Sequence, residues 1–145
     1  MIQLKELLNR DLLHLLNQRF RFFTKEMNNR LSDHGLFASQ WSIIFCIDRF
    51  GPMTQTEIWK YLNIEAPTVT RTLSRLERSG WITRKQGTDK RERVIELTDY
   101  ASNKIPIVRE TMDQFDNDMV ASLTYDEKVQ LYTLLTKLAT GENNL

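Results

Sequence analysis

Arg71, Arg75 and Arg78 recur at steps of four and three, with Thr70 beside the first of them. On a helix that spacing lines side chains along one face. Arginine presents a planar fork of N–H donors that can pair with guanine O6 and N7, and a threonine methyl can touch a thymine methyl. Further along, Asp89-Lys90-Arg91-Glu92-Arg93 sets three cations in a short polar stretch that follows Gly87. A loop of this kind cannot bury its charges. They suit phosphate oxygens or a narrow minor groove, where negative potential is concentrated. Upstream, Thr54-Gln55-Thr56-Glu57 supplies short polar side chains at the start of a helix, a position that binds anions. One ligand satisfies all three groups: double-stranded DNA.

The elements that must hold these residues are legible around them. Thr54 to Glu57 is a capping box, in which the threonine hydroxyl and the glutamate carboxylate each accept the other's backbone N–H. It opens a helix of about two turns, with Ile58 and Leu62 inward. Asn63 and Ile64 make a turn, and a second helix opens with Glu65 as its cap and Pro67 in the first turn, where no intrahelical N–H is needed. On that second helix Val69, Leu73 and Leu76 share a face, leaving Thr68, Thr70, Arg71, Ser74, Arg75 and Arg78 outside. Ser79-Gly80 ends it. Two β-capable runs follow, 81–85 and 93–97, joined by a polar loop over 86–92.

Helix, turn, helix and basic hairpin in this order form a winged helix-turn-helix. The arrangement assigns Pro67, Thr68, Thr70 and Arg71 to base edges, with Thr68 also near phosphate. Thr54, Gln55, Thr56, Arg75 and Arg78 fall to the DNA backbone, and Asp89, Lys90, Arg91 and Arg93 to the wing. Asp89 is placed to hold the Arg91 guanidinium. Arg75 has a second role open to it, pairing with an acidic neighbour to orient the helix.

Long helices flank this unit. Residues 1–34 contain neither Gly nor Pro, and Leu4, Leu8, Leu12, Leu16, Phe20, Phe23, Met27 and Leu31 recur at helical spacing. A helix of about 30 residues runs to about 45 Å, more than a domain this small needs, so an apolar end projects and requires a partner surface. Another helix is expected over 38–50. After Thr98 a further long helix carries the seam Ile105, Val108, Met112, Phe115 and Met119, suited to packing on another helix. A second capping box, Thr124 to Glu127, opens a last helix bearing Val129, Tyr132, Leu135 and Leu138. The polar tail 140–145 is expected to fray.

Charge agrees with this division. The net charge is only +1, but between Arg71 and Glu96 eight basic residues face four acidic ones, a balance of +4. From Leu97 onward four basic residues face eight acidic ones. A basic middle and an acidic end suit one DNA-facing surface and one turned away. The 145 residues, 41% of them hydrophobic, suffice for one domain with a core. A single cysteine, Cys46, excludes an intrachain disulfide and a cysteine-based zinc site. It sits in the apolar run Ile43-Ile44-Phe45-Cys46-Ile47, as an inert buried thiol would. His14 and His34 are the only histidines and are far apart in sequence, so no metal site is expected. There is no phosphate-binding Gly-rich loop and no nucleophile elbow, so the reading is not an enzyme and calls for no cofactor. Charged residues break the first apolar stretch, and no run nears the ~18–20 residues that span a bilayer. A cytoplasmic protein without membrane contact is expected.

From residue 37 to 98 the chain resembles the multiple-antibiotic-resistance regulator (MarR) family. The resemblance rests on Gln40-Trp41, Gly51-Pro52, Thr54-Gln55-Thr56-Glu57, Pro67-Thr68-Val69-Thr70-Arg71, Arg75-Leu76-Glu77-Arg78, Gly80, Asp89-Lys90-Arg91 and Leu97-Thr98. It implies a mainly α fold with a small β wing: a winged helix-turn-helix over 37–98 flanked by dimerisation helices over 1–35 and 99–145, all in one domain. It further implies a homodimeric repressor of a palindromic operator, released by a small anionic or phenolic effector. Trp41, Phe45 and His14 are the candidate effector pocket, with ordinary core as the other reading for Trp41 and Phe45. Two departures stand out. Trp59 occupies a position in the short helix where the family has a small residue, and the first helix lacks the reactive cysteine of the oxidation-sensing branch. The rival reading is a winged-helix module that docks protein instead of DNA. The polar, arginine-bearing outer face of the second helix opposes it, because a protein-docking face should expose more apolar surface.

Overall fold

A computed structural model of the chain describes residues 2–140, with side chains from residue 4 onward. Met1, where the first helix was expected to begin, and residues 141–145 of the polar tail lie outside the described residues. The described elements are α1 (Ile2–Leu31), α2 (Ala38–Phe50), β1 (Met53–Thr54), α3 (Gln55–Leu62), α4 (Ala66–Arg78), β2 (Ile82–Gln86), β3 (Arg93–Leu97), α5 (Asp99–Met119) and α6 (Tyr125–Lys137). A 3₁₀ turn, Ser32–His34, follows α1. The fold is mainly α with a small β wing. Two compact units, Met1–Met112 and Asp113–Leu145, divide the chain within α5.

In the first unit the core gathers one face from each element. Leu31 of α1, Ile43, Ile44 and Ile47 of α2, Ile58 of α3, Val69, Leu73 and Leu76 of α4, Ile82 of β2, Ile95 of β3 and Ile105 and Val108 of α5 are all buried. Thr72 joins the buried face of α4 because its hydroxyl donates to Thr68 O at 2.9 Å. Its polar group is thereby satisfied within the helix. Asn28 of α1 accepts the Ala38 N–H at 2.7 Å, and Gln40 accepts the Phe37 N–H at 2.9 Å, so α2 starts on two side-chain acceptors.

Gly80 ends α4 with φ +84°, a left-handed conformation that glycine adopts without a Cβ penalty. Thr98 then donates its hydroxyl to Gly80 O at 2.5 Å, and its Oγ1 accepts the Ala101 N–H at 3.1 Å. One threonine therefore closes the base of the wing and caps α5.

The sheet departs from the simple hairpin that the pattern suggests. It has three antiparallel strands in the order β1-β3-β2, with Met53 opposite Ile95 and Thr54 opposite Val94. A two-residue strand shows no periodicity, so nothing local marks it. β2 starts at Ile82, after a buried Trp81, and runs to Gln86. Leu62, expected inward, is half-buried, and so is Met119 at the end of the α5 seam. Glu65 stands at the cap position of α4 but makes no side-chain cap bond; Pro67 lies in the first turn as expected.

Most of α1 is unpacked within the chain. Leu4, Leu8, Leu12, Leu16, Phe20 and Phe23 are exposed, and only Leu31 of the same row is fully buried. In the second unit Val129, Tyr132, Leu135 and Leu138 of α6 are exposed as well.

Candidate nucleic-acid interface

Thr54 anchors the helix-turn-helix twice. Its Oγ1 accepts the Glu57 N–H at 3.1 Å and Glu57 Oε1 accepts the Thr54 N–H at 3.3 Å, so the capping box forms. As the last residue of β1 it is also paired with Val94 of the wing. The start of α3 and the inner wing strand are thus one hydrogen-bonded piece. Asn63 ends α3 in the left-handed region at φ 55°, which asparagine tolerates, and the Ile64 N–H returns to Trp59 O at 3.1 Å.

Side chains then fasten α3 to α4. Gln55 Nε2 donates to Thr70 Oγ1 at 3.3 Å, and Thr70 Oγ1 donates to Ala66 O at 3.0 Å. Arg71, Arg75 and Arg78 are exposed. Arg71 Nη2 donates to Thr68 Oγ1 at 3.4 Å, and Arg78 Nε donates to Ser74 O at 3.4 Å. Arg75 has no ion pair among the described residues, so the orienting role open to it is not realised.

At the wing, Gly87 donates its N–H to Glu92 O at 3.1 Å, and Glu92 donates to Asp89 O at 2.9 Å. Asp89 acts differently from expectation. Its Oδ1 accepts the Arg91 backbone N–H at 3.0 Å, an Asx-turn that shapes the tip and leaves the guanidinium unclaimed. Lys90, Arg91 and Arg93 have no ion pair among the described residues. Lys85, by contrast, is neutralised by Glu96 at 2.8 Å across the strands.

Sequence reasoning missed Arg84. Its side chain is only 19% exposed and reaches α4, where Nη2 donates to Ser74 Oγ at 2.8 Å and Nε lies 3.7 Å from Glu77 Oε2. Ser74 Oγ in turn donates to Thr70 O at 3.0 Å. The wing is thereby linked through Arg84 and Ser74 to the backbone of Thr70. Strand alternation could have found it, since Arg84 must point to the same side as Ile82, which is buried.

Three sets of candidate residues meet at one place. Thr54, Gln55 and Thr56 from the start of α3, Thr70 from α4, and Arg91 and Arg93 from the wing line one open cleft of about 260 Å³, with Trp59 in its wall. Pro67 belongs to a neighbouring groove beyond Trp59. Trp41 is turned into the core, while Phe45 and His14 stand on exposed faces of α2 and α1. Cys46 is fully buried, and burial pushes its thiol pKa up, away from the reactive thiolate. No group of three or more His, Cys, Asp or Glu among the described residues could hold a metal ion.

The element order, the capped short helix and the basic hairpin define a winged helix-turn-helix protein. The family model for MarR matches residues 36–92. An HTH-type transcriptional regulator of Bacillus subtilis (strain 168), YwoH, is 47% identical over 120 residues, covering 83% of this chain and 88% of that protein. Among solved structures, a cysteine-to-serine variant of MarR from E. coli complexed with operator DNA matches with a TM-score of 0.82 and 25% identity, over 88% of this chain and 93% of that one. Reduced AbfR bound to DNA matches with a TM-score of 0.78 and 28% identity, over 94% and 95% of the two chains. The chain belongs to the MarR family, whose members are transcriptional regulators and not enzymes. No helix among the described residues is long and apolar enough to cross a membrane.

Proposed function

We propose that this protein is a homodimeric cytoplasmic repressor that binds a palindromic DNA operator, one winged helix-turn-helix per half-site. The observation that carries the reading is the shared cleft. Polar side chains at the start of α3, Thr70 of α4 and the free cations of the wing open onto one surface. Thr70 and Arg71, with Pro67 and Thr68 before them, approach base edges in the major groove. Thr54, Gln55 and Thr56 hold the backbone at the start of α3, where N–H groups favour phosphate. Arg75 and Arg78 continue that backbone contact along α4, and Lys90, Arg91 and Arg93 meet the flanking groove and phosphates. The DNA-bound states of the MarR and AbfR neighbours support the same use of this fold.

Release follows from geometry. Two recognition helices engage successive major grooves only when the dimer holds them about 34 Å apart. A small anionic or phenolic effector that engages the candidate set Trp41, Phe45 and His14 releases DNA to the extent that it prefers another spacing. The test is a gel shift with the DNA upstream of the protein's own gene at two salt concentrations. Retardation that weakens steeply with salt is expected. No retardation at either concentration would refute DNA binding at this site.

A further inference from the structure

We propose that Trp59 is a DNA-backbone contact, laying its indole against a deoxyribose and offering Nε1–H to the adjoining phosphate. The inference rests on the DNA-binding reading above and adds a residue that it does not use. Trp59 forms the wall between two concavities of the same surface. One holds Thr56, Thr70 and Arg91, and the other holds Lys60, Asn63 and Pro67. The side chain is half-buried, against 6% exposure for Trp41 and 4% for Trp81. Its Nε1–H has no hydrogen-bond partner among the described residues. The Lys60 ammonium lies 5.7 Å from the ring centroid and adds positive charge at the same ledge.

The surroundings decide what covers the ring. A large apolar ring with a donor at its edge suits a surface that is apolar on one side and wet on the other. Sugar beside phosphate has that character. The unpaired cations Arg91 and Arg93 on the same cleft oppose an apolar protein partner. A sugar-phosphate contact positions the protein without reading sequence. Its removal must therefore weaken cognate and random DNA alike.

Because the other two tryptophans are buried, Trp59 dominates quenching of the protein's fluorescence by acrylamide. The experiment titrates wild-type protein with a duplex taken from upstream of its own gene, and with a shuffled duplex of equal length. Each state is then quenched with acrylamide, and Trp59→Phe gives the baseline of Trp41 and Trp81. Either saturating duplex should reduce wild-type quenching severalfold toward that baseline. Trp59→Phe, which keeps a ring but loses the Nε1–H donor, should weaken binding of both duplexes by about fivefold, near the worth of one hydrogen bond, and Trp59→Ala by more, since it loses the ring contact as well. Wild-type binding with unchanged quenching overturns the proposal, as does a Trp59→Ala loss confined to the upstream duplex. Wild-type protein that binds neither duplex overturns the DNA-binding reading itself. If Trp59→Ala fails to fold, the wild-type quenching result decides.

Discussion

Arg71 and Arg91 are both exposed and unpaired by acids, yet they stand on different supports and should fail differently. Arg71 lies on α4 one residue from Thr70, which is pinned to Gln55 and Ala66. Arg71→Ala should cost about 1–3 kcal/mol on the operator and relax base preference at one position. Competition binding against single-base operator variants checks this, and an equal loss on random DNA would move Arg71 to the phosphate class. Arg91 sits on a turn that Asp89 shapes. Arg91→Ala should weaken all duplexes and reduce the slope of log affinity against log salt by about 0.9 for each phosphate it neutralises. An unchanged slope would remove it from the interface. Arg84 touches α4 and not the open cleft, so its effect is on stability. Arg84→Ala should lower stability by about 1–2 kcal/mol in denaturant unfolding, the range of a charge-assisted hydrogen bond in a partly exposed site. An unaltered midpoint would show that the Ser74 and Glu77 contacts contribute nothing. The exposed position of Arg91 at the wing tip was legible from charge and turn residues. The work of Arg84 was hidden because a charge count does not say which face of a strand an arginine takes.

Elements were easiest to read where local chemistry alone sets them. Both capping boxes form as their sequences require, at Thr54 with Glu57 and at Thr124 with Glu127. The buried face of α4 follows from the spacing of Val69, Leu73 and Leu76. What escaped was non-local: β1 exists only because Met53 and Thr54 meet Ile95 and Val94, about forty residues on. Asp89 escaped for a related reason, since a backbone N–H two residues ahead competes for the carboxylate and wins. The second capping box carries a pH dependence. The Thr124 backbone N–H, and then its hydroxyl contact, lower the Glu127 pKa below the ordinary carboxylate value. A group whose folded pKa is depressed stabilises above its unfolded pKa, and that contribution fades as acid takes the pH down through the folded one. Amide exchange in the first turn of α6 should therefore accelerate on acidification, relative to the intrinsic rate. Glu127→Gln should flatten that response. If wild type and Glu127→Gln respond identically, the carboxylate does not hold the helix start.

At the scale of the whole molecule, the exposed apolar rows are the feature a single chain does not explain. Leu4, Leu8, Leu12, Leu16 and Phe20 on α1, with Val129, Leu131, Tyr132, Leu134 and Leu135 on α6, are all exposed. Burying one such side chain is worth roughly 1.5–3 kcal/mol, so the ten of them together, at roughly 15–30 kcal/mol, match or exceed the ~4–15 kcal/mol cost of association. The surface proposed to read DNA, in the basic middle of the chain, is polar and charged, so the two proposed tasks are separated along the sequence. The sequence showed the rows but not what covers them, because helical spacing marks an apolar face without saying whose face it meets. The proposed second copy would satisfy both rows, and it would supply the second reading head that a palindrome requires. Sedimentation at micromolar concentration should show a dimer. Leu8→Glu with Leu12→Glu should shift it toward monomer, since a buried unpaired charge in that row is costly. Operator affinity should then fall far more than for any single cation removed from the wing, because a monomer engages only one half-site. A double variant that stays dimeric and keeps its affinity would place the interface elsewhere on the chain.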